Sequence, residues 1–158
     1  MGSLGGSIFT HFLLSGLRGA ADADGDRRVS LAELHAFAAR NTERATAAWT
    51  GSLQHPAFHF DISGRGEVVV SDLTQAMASI EIEDGVAGQV VVSERGAGQV
   101  IAEADKAAGR PLRLAVPPGR YVVYLRTDSS VGAAQAELPW GGEARLGAKS
   151  FDCCGATG

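Results

Sequence analysis

Cysteine is nearly absent: the chain of 158 residues carries two, Cys153 and Cys154, side by side in a Gly-rich tail. Adjacent cysteines of that kind match neither a disulfide framework nor the paired CxxC spacing of a zinc site. Clustered positive charge is also missing, and the net charge is -4. Nucleic acid and anionic membrane surfaces both demand concentrated Lys and Arg, so neither is an expected partner. Long apolar runs are lacking too. The stretch from Ile8 to Leu17 is interrupted by Thr10 and His11, follows no basic segment and is too short to span a bilayer. The expectation is neither a signal peptide nor a membrane helix, which points to a cytoplasmic protein.

What is present suits a folded chain, with 45% hydrophobic and 20% charged residues. The length allows one ordinary domain or two small ones, and the pattern along the chain favours two. Ser7 is a plausible N-cap, and Phe9, Leu13 and Leu17 follow at four-residue spacing beside Phe12. That spacing predicts a helix ending near Gly19. A second helix is predicted from Ser30 to about Ala47, opened by the capping box Ser30-Leu31-Ala32-Glu33 and carrying Leu34, Phe37 and Ala38 on one face. Arg40 and Arg44 on its other face read as solvated charge.

The period then changes. Phe58 and Phe60 alternate with His59, Ser63-Gly64-Arg65-Gly66 follows, and Val68-Val69-Val70 is β-branched, so residues 57 to 73 read as a β-hairpin. Strand patterns recur at 79–83, 89–93, 100–104, 112–116, 121–126 and 134–138, separated by Gly, Pro, Asp and Ser. The sharpest turn signal among them is Pro117-Pro118-Gly119-Arg120-Tyr121. The expected fold is α+β: a helix-loop-helix with a hairpin over residues 1–77, then a small antiparallel β-sandwich over residues 78–158.

The most specific local signal is Asp22-Ala23-Asp24-Gly25-Asp26-Arg27-Arg28-Val29-Ser30-Leu31-Ala32-Glu33. Oxygen-bearing side chains fall at positions 1, 3, 5, 9 and 12 of a twelve-residue loop, with an apolar residue at position 8, which is the EF-hand arrangement. Calcium, a hard cation, takes about six to eight oxygen ligands. Asp22, Asp24, Asp26, the Arg28 carbonyl and Glu33 are the expected ligands, with Ser30 acting directly or through water. Position 6, normally Gly in a left-handed conformation, holds Arg27, at a cost on the order of 1 kcal/mol. The competing account is a hydrophilic turn followed by a helix cap, for which Ser30 and Glu33 suffice. Asp61 to Gly66 has a superficial likeness to a second loop, but Arg65 stands at its third ligand position and strand patterns flank it. A single loop implies a structural or low-affinity site rather than a sensor.

No catalytic arrangement stands out around His11, His35, His55 and His59, and a nucleophile at Cys153 or Cys154 would lack rigid support. The run from Gly5 to Gly19, GGSIFTHFLLSGLRG, followed by the acidic loop, Gln54-His55-Pro56 and Phe60-Asp61-Ile62-Ser63-Gly64, resembles the C-terminal part of bacterial caspase-like (peptidase C14, metacaspase-related) domains over about residues 5 to 73. The resemblance implies the small-subunit side of that fold, with the catalytic His and Cys outside this chain. It also implies an apolar patch on the first helix that would associate with another chain, with the β-rich half or with a second copy, unless Phe37 and Trp49 cover it. The β-rich half is similar to Ig-like or transthyretin-like accessory modules. The functional expectation is a non-catalytic calcium-binding module that mediates association; the alternative is one part of a caspase-like cysteine peptidase.

Overall fold

The computed structural model describes residues 8–50 and 66–153. The Ser7 cap, the strand expected around Phe58 and Phe60, the Asp61 to Arg65 stretch, His55 and His59 lie outside them. Helix α1 spans Ile8–Ser15 and runs into a wide π-type turn, Gly16–Ala20. Gly19, at φ 123°, breaks the helical path, as the sequence leads one to expect. Helix α2 spans Leu31–Thr50, with Leu34, Phe37, Ala38, Asn41 and Thr42 buried along one side. Phe12 meets Phe37 edge to face, with ring centroids 6.4 Å apart. Phe9, Leu13 and Leu17 pack on the same cluster, and Leu14 is the one large apolar side chain of α1 left exposed.

Short strand β1, Arg28–Ser30, pairs antiparallel with β2, Val69–Asp72, setting Val29 opposite Ser71. The second half of the expected hairpin therefore has the acidic loop as its partner among the described residues. The remaining strands are β3 Ala78–Ile82, β4 Gly88–Glu94, β5 Val100–Lys106, β6 Leu112–Val116, β7 Gly119–Arg126, β8 Val131–Leu138, β9 Glu143–Leu146 and β10 Asp152–Cys153. They form a five-stranded sheet in the order β10-β8-β7-β4-β5 and a three-stranded sheet in the order β6-β3-β9. Alternation decides their faces: Ile80 and Ile82 of β3, Val90 and Val92 of β4, and Tyr121 and Val123 of β7 all enter one core between the sheets.

One pairing departs from the expected all-antiparallel sandwich: β3 and β9 run parallel, Ile80 opposite Ala144. The reason is a crossover. After β8 the chain turns at Pro139 to Gly142, leaves the five-stranded sheet and enters the other beside β3, with Gly141 N–H bonded to the Met77 carbonyl at 2.6 Å. Strands β6 and β7 also lie in different sheets, and the Pro117-Pro118 corner between them is held by the Tyr121 hydroxyl, which donates to the Pro117 carbonyl at 2.6 Å.

The helical layer closes one open side of this sandwich. Ser15, fully buried, accepts the Glu103 backbone N–H at 3.0 Å through its hydroxyl, and so satisfies a donor on the outer edge of β5. The turn after α1 lies along the edge of β6, where Arg18 reaches the Ala115 carbonyl at 3.5 Å. Ala104 belongs to the helical core, Leu112 and Ala115 pack against it, and Ala20 contacts both cores. On the opposite side Phe151 enters the sandwich core after the short helical turn Ala148–Ser150.

Candidate metal centre

The acidic loop bridges the turn after α1 and the start of α2. Its entry is anchored by the Asp22 N–H, which donates to the Gly19 carbonyl at 3.1 Å, and its exit by the fully buried Val29 in β1. Between these points the carboxylates fold the backbone around themselves. Asp22 accepts the N–H of Gly25 on Oδ1 at 2.8 Å and of Arg27 on Oδ2 at 3.0 Å. Asp24 accepts from the Asp26 N–H at 3.0 Å, and Asp26 from the Arg28 N–H at 2.8 Å. Gly25 and Arg27 both take positive φ, 79° and 66°, and Arg27 is the only non-glycine among the described residues to do so. The left-handed turn expected at position 6 is thus made by an arginine.

Glu33 crosses the loop from the first turn of α2. Its Oε1 accepts the Ala23 N–H at 3.0 Å, and its Oε2 accepts the Ser30 N–H and the Ser30 hydroxyl, each at 2.9 Å. The Glu33 N–H donates back to the Ser30 oxygen at 3.2 Å, completing the expected capping box. Carboxyl oxygens of Asp22, Asp24 and Glu33 lie within 4.8 Å of one another. Two ligands on opposite sides of one calcium ion stand at most about 5 Å apart, because each bond is about 2.3–2.6 Å. These three oxygens therefore fit around one such ion, and each carboxylate keeps acceptor capacity beyond its present hydrogen bonds.

Of the other expected ligands, Asp26 stands outside that group of three, Ser30 is buried with its hydroxyl turned to Glu33, and Arg28 begins β1, its guanidinium Nε 4.0 Å from Asp72 Oδ2. The Asp22 carboxyl is raised above its ordinary pKa, chiefly by burial, against the opposing pull of the Gly25 and Arg27 amides; Asp24 and Asp26 raise it further. Like charges brought this close disfavour one another's ionisation, and a cation among them reverses that effect.

No protein-family model matches the chain, and no curated protein matches it.

Sequence reading does not reveal the groups that the β-sandwich contributes. Arg110, in the connection from β5 to β6, donates to the carbonyl of Ala23, loop position 2. The Glu81 carboxyl of β3 is held below its ordinary pKa chiefly by its hydrogen bond from Arg113, against burial, with Arg27 of the loop adding the smallest pull in the same direction. Arg27 and Glu81 line a 150 Å³ cleft together with Asp22, Gly25 and Arg113. Nothing near Arg110 or Glu81 in the sequence signals such contacts, since Arg110 and Ala23 are 87 positions apart.

Proposed function

We propose that residues 22–33 bind one calcium ion and that the chain serves as a non-catalytic, ion-binding module. The observation that carries this reading is the convergence of Asp22, Asp24 and Glu33 oxygens within 4.8 Å, drawn from both ends of a loop whose backbone already wraps those side chains. A capping box accounts for Ser30 and Glu33 alone; it gives no reason for Asp22 and Asp24 to face the same centre. Asp26 and the Arg28 carbonyl would join the shell, with Ser30 supporting Glu33. A ligand set made wholly of protein oxygens favours calcium over magnesium, which demands near-ideal octahedral geometry and gives up water reluctantly.

Calorimetric titration tests the reading: calcium should give a saturable heat with the unsubstituted chain and none with the Asp22→Ala, Asp24→Ala double variant. Equal heats from the two proteins remove it. The resemblance to caspase-like domains adds a proposal about context, that the module accompanies a peptidase whose dyad lies elsewhere. Cleavage of peptides after Arg or Lys by this chain alone contradicts the non-catalytic assignment.

A further inference from the structure

A cleft of about 860 Å³ lies between α2, the start of β4 and the ends of β5 and β7, and shares no residue with the acidic loop. Small-ligand sites commonly enclose about 300–1,000 Å³. Phe12, Ala45 and Ala104 supply its apolar wall. Several of its charged groups already have partners: Arg44 holds Asp105, while Glu103 takes the Gln89 amide on Oε1 at 2.6 Å and meets His11 through Oε2 at 3.0 Å. Three groups keep capacity to bind. Asn41, only 6% exposed, donates from Nδ2 to the Phe37 carbonyl at 2.8 Å, which fixes its amide orientation and leaves Oδ1 an acceptor open to the cleft. Lys106, 7% exposed, donates from Nζ to the Val86 and Ala107 carbonyls at 2.6 and 3.2 Å. Its charge thus meets only neutral partners at hydrogen-bond distance, and one of its protons is unused. Burial lowers its pKa, against the more distant pull of Asp84. Arg126, exposed at the end of β7, makes no hydrogen bond or ion pair with the described residues and acts on Glu103 only through space.

We propose that this cleft binds the C-terminal residue of a peptide, with its carboxylate at Arg126 and Lys106, its backbone N–H on Asn41 Oδ1 and an aliphatic side chain against Phe12, Ala45 and Ala104. Charge selects an anion. With Arg44, Asp105 and Glu103 already partnered, the remaining charges of the lining are the cations Arg126 and Lys106 and one acid, Asp128, which is exposed beyond the end of β7. A ligand of single negative charge balances that set, whereas a cation adds to the excess and a neutral ligand leaves the desolvated ammonium unmatched. Asn41 narrows the class further. A plain carboxylate with an apolar tail would cover Oδ1 without giving it a donor, which costs affinity. An N–H next to the carboxylate removes that penalty, and a peptide terminus carries the carboxylate, the N–H and the side chain on one residue.

Acetyl-alanyl-leucine with a free carboxylate is the probe, titrated into the isotope-labelled full chain while backbone amide shifts are followed by NMR. Saturable shifts are expected at Gly88, Gln89, Asp105 and Arg126, with the amides of the acidic loop unmoved. The C-terminal amide of the same peptide should bind at least about tenfold more weakly, since it loses a charge-assisted hydrogen bond. An analogue with an ester oxygen in place of the leucine N–H should also lose about tenfold, which reads the Asn41 contact without altering the protein. Arg126→Gln, at an exposed position that the fold does not use, should erase the preference for acid over amide, and its own spectrum reports that the chain is folded. Acid and amide binding alike to the unsubstituted chain overturn the proposal, as does a preference that survives Arg126→Gln. So do an ester analogue that binds as well as the peptide, shifts that sodium acetate reproduces at the same concentration, and the absence of saturable shifts in the cleft.

Discussion

Gly19 occupies a position that admits no side chain: at φ 123°, an added Cβ would stand 2.2 Å from the Arg113 carbonyl oxygen. Left-handed strain costs on the order of 1–2 kcal/mol and overpacking about 1–3 kcal/mol, so Gly19→Ala should destabilise the chain by about 2–5 kcal/mol. Urea denaturation measures it, and a loss below 1 kcal/mol would show that the turn moves freely off β6. Ser15 acts by another means. Its hydroxyl donates to the His11 carbonyl at 3.0 Å and accepts from Glu103, so Ser15→Ala strands a buried N–H at a cost of about 1–3 kcal/mol. Ser15→Thr keeps the acceptor and should recover part of that loss in the same measurement.

At the scale of elements, the three-stranded sheet is braced across its outer face by charge. Glu81 of β3 sits opposite Arg113 of β6 and Arg145 of β9, and Arg113 reaches both Glu81 at 2.5 Å and Glu143 at 3.1 Å. The Arg113 hydrogen bond, opposed by burial, holds the Glu81 carboxyl below the ordinary glutamate range. A carboxylate depressed on folding adds stability that is fully present above its unfolded pKa and is lost as the pH falls through the folded one. The stability gap between the unsubstituted chain and Glu81→Gln should therefore be widest near neutrality and shrink in acid, below the usual glutamate range. Denaturation midpoints across that range measure it, and a gap independent of pH would show that the ion pairs contribute nothing. Strands β1 and β2 brace the loop in a different way, since Leu73 N–H bonds to the Arg27 carbonyl at 2.9 Å and so ties the left-handed residue to the chain beyond β2.

At the scale of the whole molecule, the two cores meet through Ala20 and Leu112, which pack against both. Contact of that kind couples their unfolding, so calorimetry should record one transition with equal calorimetric and van't Hoff enthalpies. Calcium at about a hundredfold excess over its dissociation constant should stabilise that transition by about 2.7 kcal/mol. Two separated transitions, with only the first moved by calcium, would mean that the layers fold independently. Much of this organisation was legible along the chain. Leu112 to Val116 alternates cleanly and forms β6 over those residues; the capping box and the 1-3-5-12 spacing of the acids are local, because a turn and a helix start are satisfied by neighbours in sequence. Strands β9 and β10, of four and two residues, have too few side chains to show a period and exist because β3 and β8 supply their partners. The sequence by itself thus determined the short-range features: the acidic loop, the two helices and the alternating strands. Tertiary structure alone decided that Ser15 and Gly19 cover two sheet edges and that Arg110 meets Ala23, because those contacts join residues whose distance along the chain leaves no periodic trace.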